Sequence, residues 1–174
     1  VYVNKPPLYN WILLGFFKVF GFSEWVVRFP AILSLVLFGV IIFYFFHKIT
    51  GAFNTSFFSA AAVLTAGNIL FYSSLLGHID ALFSLIVFLG FMIIYIYGNQ
   101  GKWSQLFALS YFICFVGFML KGIPAIVFQG VSITVGALFF KSPKILFSRK
   151  HIIGSLWFIV PTLLYLLAFS YRYP

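Results

Sequence analysis

Six long apolar runs, each closed by a short polar or turn-forming break, leave this chain very little choice of fold. They cover approximately residues 31–47, 57–75, 80–97, 104–120, 123–140 and 152–170. Each is of a size to cross the hydrocarbon of a bilayer as a helix, which takes about 17–25 apolar residues. The breaks are His47-Lys48 to Ser56, Gly77-His78, Gly98 to Lys102, Lys121-Gly122, and Lys141 to His151. Only 7% of residues are charged, against about 25% in a soluble domain. A transmembrane β-barrel would show short alternating segments instead. The expectation is an all-α, polytopic transmembrane helical bundle forming one membrane unit over 1–174. No soluble domain, linker, repeat or low-complexity tract interrupts it. The one cysteine, Cys114, stands in an apolar stretch and reads as a buried small hydrophobe.

Residues 1–30 do not read as a clean span. Lys5-Pro6-Pro7 opens a short amphipathic helix that stops at Gly21. A second short helix, from Ser23-Glu24 to Phe29, leads to Pro30 and the first span. Ser23 is its expected N-cap, with Glu24 favoured by the helix dipole. Both are expected to lie in the membrane interface with Lys18 snorkelling. Tyr72, Tyr111 and Tyr171 are expected in the aromatic belts.

Charge gives the orientation. Lys141, Lys144, Arg149 and Lys150 crowd one loop, which should face the cytoplasm. Alternation puts Lys48 and Lys102 on that side too. Lys5, Lys18, Arg28, Lys121 and Arg172 fall on the outer side with residues 1–30, His78 and Asp80. Cations kept on the disfavoured side point to an anion, such as a phosphate, bound there.

Glu24 and Asp80 are the two acids of the chain. An ionised carboxylate at the edge of a membrane span is costly and marks a functional path. The structural alternative for Asp80 is a helix-start cap, and for Arg28 an i,i+4 ion pair with Glu24. Asp80 could orient an acceptor, ligate a metal or pair with a cation; His78 and Asp80, two apart, do not share a helix face, so a metal pair there needs a non-helical turn at Gly77. No phosphate-binding loop, dinucleotide glycine pattern or zinc signature appears, so a nucleotide-sugar donor is unsupported.

Four patterns stand in order: Lys5-Pro6-Pro7-Leu8 with Trp11; Phe20-Gly21-Phe22-Ser23-Glu24-Trp25-Val26-Val27-Arg28-Phe29-Pro30; His78-Ile79-Asp80; and Lys121-Gly122-Ile123-Pro124. Together they resemble the polyprenyl-phosphate-dependent glycosyltransferases of the GT-C fold. The nearest branch holds protein O-mannosyltransferases and the aminoarabinose transferase of lipid A. The family commonly has Lys-Gly-Pro at the last turn, where this chain carries Ile123 between Gly122 and Pro124. The resemblance implies a transferase moving a sugar from a polyprenyl phosphate carrier to a lipid, glycan or protein acceptor on the extracytoplasmic face. Lys5, Arg28 and Lys121 would hold the carrier phosphate, and Asp80 would be catalytic. Glu24 and His78 stand beside them as further candidates.

No cofactor and no nucleic-acid partner is expected; a divalent metal is left open, without support in the sequence. The expected location is the bacterial inner (plasma) membrane, with membrane lipids around it. The resemblance also implies further spans and an acidic motif upstream of Lys5 that supplies the base. The chain is therefore read as an amino-terminal half, inactive alone. The competing class is a transporter or lipid flippase. It would place its site near the midplane, on paired repeats. Here the candidate charges gather at one face.

Overall fold

A computed structural model describes residues 6–66 and 78–172. Among the described residues the regular structure is helical, with no strand. The α-helices are α1 (Leu8–Phe20), α2 (Glu24–Thr50), α3 (Phe53–Leu64), α4 (Asp80–Asn99), α5 (Trp103–Lys121), α6 (Ile123–Phe139) and α7 (Arg149–Arg172). A short 3-10 helix, Pro143–Phe147, precedes α7. By length and apolar character α2, α4, α5 and α7 can each cross a membrane. The protein is a polytopic helical membrane protein. Internal contacts gather into two compact units, one of Pro7–Leu85 and one of Ile86–Pro174 with Pro6.

In the first unit α1 packs on α2 and α2 on α3. Helix α1 ends where the sequence predicts: Gly21, at φ 78°, donates its N–H to the Phe17 carbonyl at 2.9 Å. A residue with a side chain would strain there. Phe16 meets Phe29 across the corner, ring centroids 5.5 Å apart. Ser23 caps α2 as expected, its hydroxyl oxygen accepting from the Val26 N–H at 3.4 Å.

The expected break at Pro30 does not occur. Residues 24–29 and the first span form one 27-residue helix with Pro30 inside it. Proline already holds a helical φ, and only one backbone donor is lost. The position lies in the second turn, where most carbonyls still find their partners further along the helix. The buried stripe Pro30, Ala31, Ser34, Leu35, Phe38, Gly39 and Ile42 keeps the helical period straight through the proline. Burial of that face outweighs one missing bond. The expected span 57–75 begins earlier, at Phe53. Its part beyond residue 66 lies outside the described residues.

In the second unit α5 packs on both α6 and α7. Ile94, Leu106, Phe107 and Ile133 form a buried apolar cluster. At Gly154 of α7 a Cβ would collide with Phe107, including its backbone carbon at 3.0 Å. This is the close helix approach that small residues permit in membranes. Gln129 of α6 is buried, and its side-chain amide donates to the Ser110 hydroxyl of α5 at 2.9 Å. That bond relieves the cost of a primary amide in an apolar interior. Helix α6 has 17 residues, the shortest apolar helix of this unit.

Candidate functional site

The turn between α5 and α6 is a single glycine. Gly122 ends α5 by donating to the Phe118 carbonyl at 2.8 Å, and its φ of 77° and ψ of −135° suit glycine alone. Lys121 is the last residue of α5 and is half-buried. Pro124 falls in the first turn of α6, where a missing N–H costs nothing. The extra Ile123 points outward, 72% exposed. The departure from Lys-Gly-Pro thus adds an apolar residue at the surface and leaves proline in a favourable position.

Pro6 lies against this turn. A side chain starting at Gly122 would meet Pro6 Cγ at 3.7 Å and Cδ at 3.9 Å. Two patterns more than a hundred residues apart in sequence therefore meet in one unit. Lys5 itself lies outside the described residues, and its neighbour Pro6 is the part that can be located. Pro7 starts α1 from the other side, its carbonyl accepting from the Trp11 N–H at 3.0 Å.

The remaining candidates belong to the other unit. Arg28 is ion-paired with Glu24 one turn earlier, through Nη2 and Oε1. The structural alternative for Arg28 is thus present in the molecule. It does not exhaust the side chain, since a guanidinium carries five N–H donors. Glu24 is exposed and sits in the first turn of α2, where the dipole favours it. An apolar groove of about 410 Å³, lined by Phe20, Trp25, Val26, Phe29 and Ile32, lies along the α1–α2 corner beside these charges. Tyr9, buried in α1, has its phenol pushed up by that burial.

Asp80 is the first residue of α4 and exposed, so its carboxylate stands at the positive end of a 20-residue helix. His78 is exposed in the non-helical turn before it. Among the described residues no three His, Cys, Asp or Glu side chains gather as a metal site would need.

Tyr111 does not lie in an interfacial belt. It sits in the middle of α5, and its hydroxyl contacts His151 Nε2 of α7 at 2.6 Å. His151 Nδ1 contacts the Leu146 carbonyl. A carbonyl only accepts, so Nδ1 carries the proton and Nε2 accepts from the tyrosine. The sequence signal for this pair was weak, a tyrosine and a histidine 40 residues apart. Tyr171 is exposed at the end of α7, as a belt residue would be, and Tyr72 lies outside the described residues.

Comparison with known proteins follows the same lines. An uncharacterised protein of Aquifex aeolicus (strain VF5) is 29% identical over 158 residues. The match covers 88% of this chain and 30% of that relative, so the chain spans about a third of the relative's length. No solved structure matches the chain. The sequence pattern of the dolichyl-phosphate-mannose-protein mannosyltransferases matches residues 4–170, nearly the whole chain. With the Lys-Pro-Pro and Lys-Gly patterns meeting at Pro6 and Gly122, the chain belongs to the dolichyl-phosphate-mannose-protein mannosyltransferase family.

Proposed function

We propose that this chain is part of an integral membrane glycosyltransferase that moves a sugar from a polyprenyl phosphate to an acceptor on the extracytoplasmic face. The observation that supports the reading is Pro6 against Gly122, which brings one residue of each of the two lysine-bearing patterns into contact. Negative charge develops on the carrier phosphate as the sugar leaves. Cations near it favour the transition state over the ground state. By the resemblance of their motifs the candidate cations are Lys5 and Lys121, which are point charges, and Arg28, whose planar fork has more donors than Glu24 uses. The groove of Phe20, Trp25 and Phe29 suits an apolar prenyl chain. Asp80 is the candidate for orienting the acceptor or balancing a cation, with His78 and Glu24 as further candidates. A lipid, a glycan or a protein hydroxyl can serve as acceptor, and the cell location that fits is the bacterial inner membrane. No cofactor is part of the proposal.

The test uses the complete protein. Lys5→Ala should lower transfer 10-fold or more, since a charge-assisted bond is worth about 1.5–3 kcal/mol. Lys5→Arg should also be impaired, because a fork replaces a point charge. Asp80→Asn separates capping from chemistry: asparagine caps nearly as well but carries no charge. Transfer should fall while thermal stability holds. Normal turnover of a well-expressed Lys5→Ala protein would remove the phosphate role.

A further inference from the structure

The loop at the far end of α6 carries its own design. Lys141 turns the chain with a φ of 51°, uncommon for a residue with a side chain. The 3-10 helix that follows is tied down on its inner side. Ile145 and Leu146 pack against the Ile94, Leu106, Phe107 and Ile133 cluster. His151 holds the Leu146 carbonyl, stacks on Tyr111 and lies tilted against Phe107, with ring centroids 5.6 and 4.7 Å away. Ser148 donates its hydroxyl to the Ile145 carbonyl at 2.7 Å. The outer side is left to Lys141, Lys144, Arg149 and Lys150, all exposed, and to Phe147, 89% exposed. No acidic residue occurs anywhere after Asp80, so no carboxylate of this stretch offsets the four cations.

From this geometry we infer that residues 141–150 form a docking surface for anionic phospholipid headgroups of the adjoining leaflet. The cations meet lipid phosphates, and Phe147 seats its ring below them among the acyl chains. Two simpler accounts fall short. The preference of cytoplasmic loops for Lys and Arg explains the charges but not a phenyl ring held outward on a fixed support. A soluble anion would also explain the charges but would leave Phe147 in water. A cationic rim with an outward aromatic is the chemistry of an interfacial anchor. This surface lies at the opposite end of α6 from Gly122, so the inference does not depend on the proposed transfer site.

The experiment is lipid binding by the complete detergent-purified protein, read by native mass spectrometry. The probes are phosphatidylglycerol and phosphatidylcholine, with soluble glycerol phosphate as competitor. Phosphatidylglycerol should be retained in preference. Lys144→Gln should weaken retention about fivefold, and adding Arg149→Gln about fivefold again, while Lys144→Arg retains it. Phe147→Ser should weaken lipid retention but leave the preference for negative charge. Lys144 and Phe147 are exposed, so these substitutions disturb no packing. Equal retention of the two lipids, unchanged retention in the double variant, or full displacement by soluble glycerol phosphate at equal concentration would overturn the inference.

Discussion

At its start α6 is joined to α5 by Gly122 alone; at its end it reaches α7 through residues 140–148. The first connection has one flanking cation, Lys121, and a backbone geometry that glycine alone adopts comfortably. The second has four cations within residues 141–150 and a 3-10 helix bolted to the core by its apolar residues. A tight turn fixes where one charge can be. A longer loop spreads many charges over a surface. The same helix therefore ends in a place with one fixed cation and a place with a field of them.

The largest effect expected from this comparison is all-or-none. Single cysteines at Ile123 and Ser142 in the complete protein should differ in labelling of intact cells by an impermeant thiol reagent. Ile123→Cys should label and Ser142→Cys should not, if the cation-rich loop faces the cytoplasm as its charge leads one to expect. The reverse pattern would invert the assignment of the two ends.

Next comes the support under the loop end. Gly154→Leu forces a side chain into Phe107, where the backbone cannot retreat. A loss of about 3 kcal/mol or more is expected, at the upper end for overpacking. Thermal unfolding in detergent would read it, and a wild-type midpoint would mean that α5 and α7 do not approach so closely.

Gly122→Ala probes the other end. The space is adequate, since Pro6 stands at ordinary contact distance, so the cost is backbone strain of about 1–3 kcal/mol. Transfer activity should fall with stability if the turn positions Lys121. Gln129→Leu, midway along α6, is the smallest. An interhelical hydrogen bond in a membrane protein averages about 0.6 kcal/mol, so a shift of at most a degree or two in the melting midpoint is expected. A drop above about 2 kcal/mol would show that Gln129 has a role beyond its bond to Ser110.

Features set by neighbours in sequence were legible from the residues alone. The stop of α1 at Gly21, the Ser23 cap, the Glu24–Arg28 pair and the starts of α4 and α6 all rest on signals within four residues. Pro30 misled because a local rule about proline competed with a buried stripe running through it. The longer-range features were less accessible. The order of the four patterns suggested a shared face, but nothing in the spacing of Pro6 and Gly122 says that they lie against each other. Tyr111 was misjudged for the same reason, since its partner His151 lies on another helix. Gln129 did carry a signal, a primary amide inside an apolar run, and its partner Ser110 did not.

The brevity of α6 has a consequence for the bilayer itself. Seventeen residues make a rod of about 25 Å, against a hydrocarbon thickness of about 30 Å. If α6 crosses the bilayer, as the apolar run 123–140 leads one to expect, the shortfall is about 5 Å, which tilting would only enlarge. Flanking Lys121 and Lys141 can then reach outward across part of it, and thinning of the lipid would take up the rest. A dimple centred on α6 would draw headgroups inward at Gly122. A phosphate arriving on a long lipid would then need to climb less far out of its leaflet to meet Lys121. On the proposed function, local membrane deformation would then lessen the distance between a carrier phosphate and Lys121.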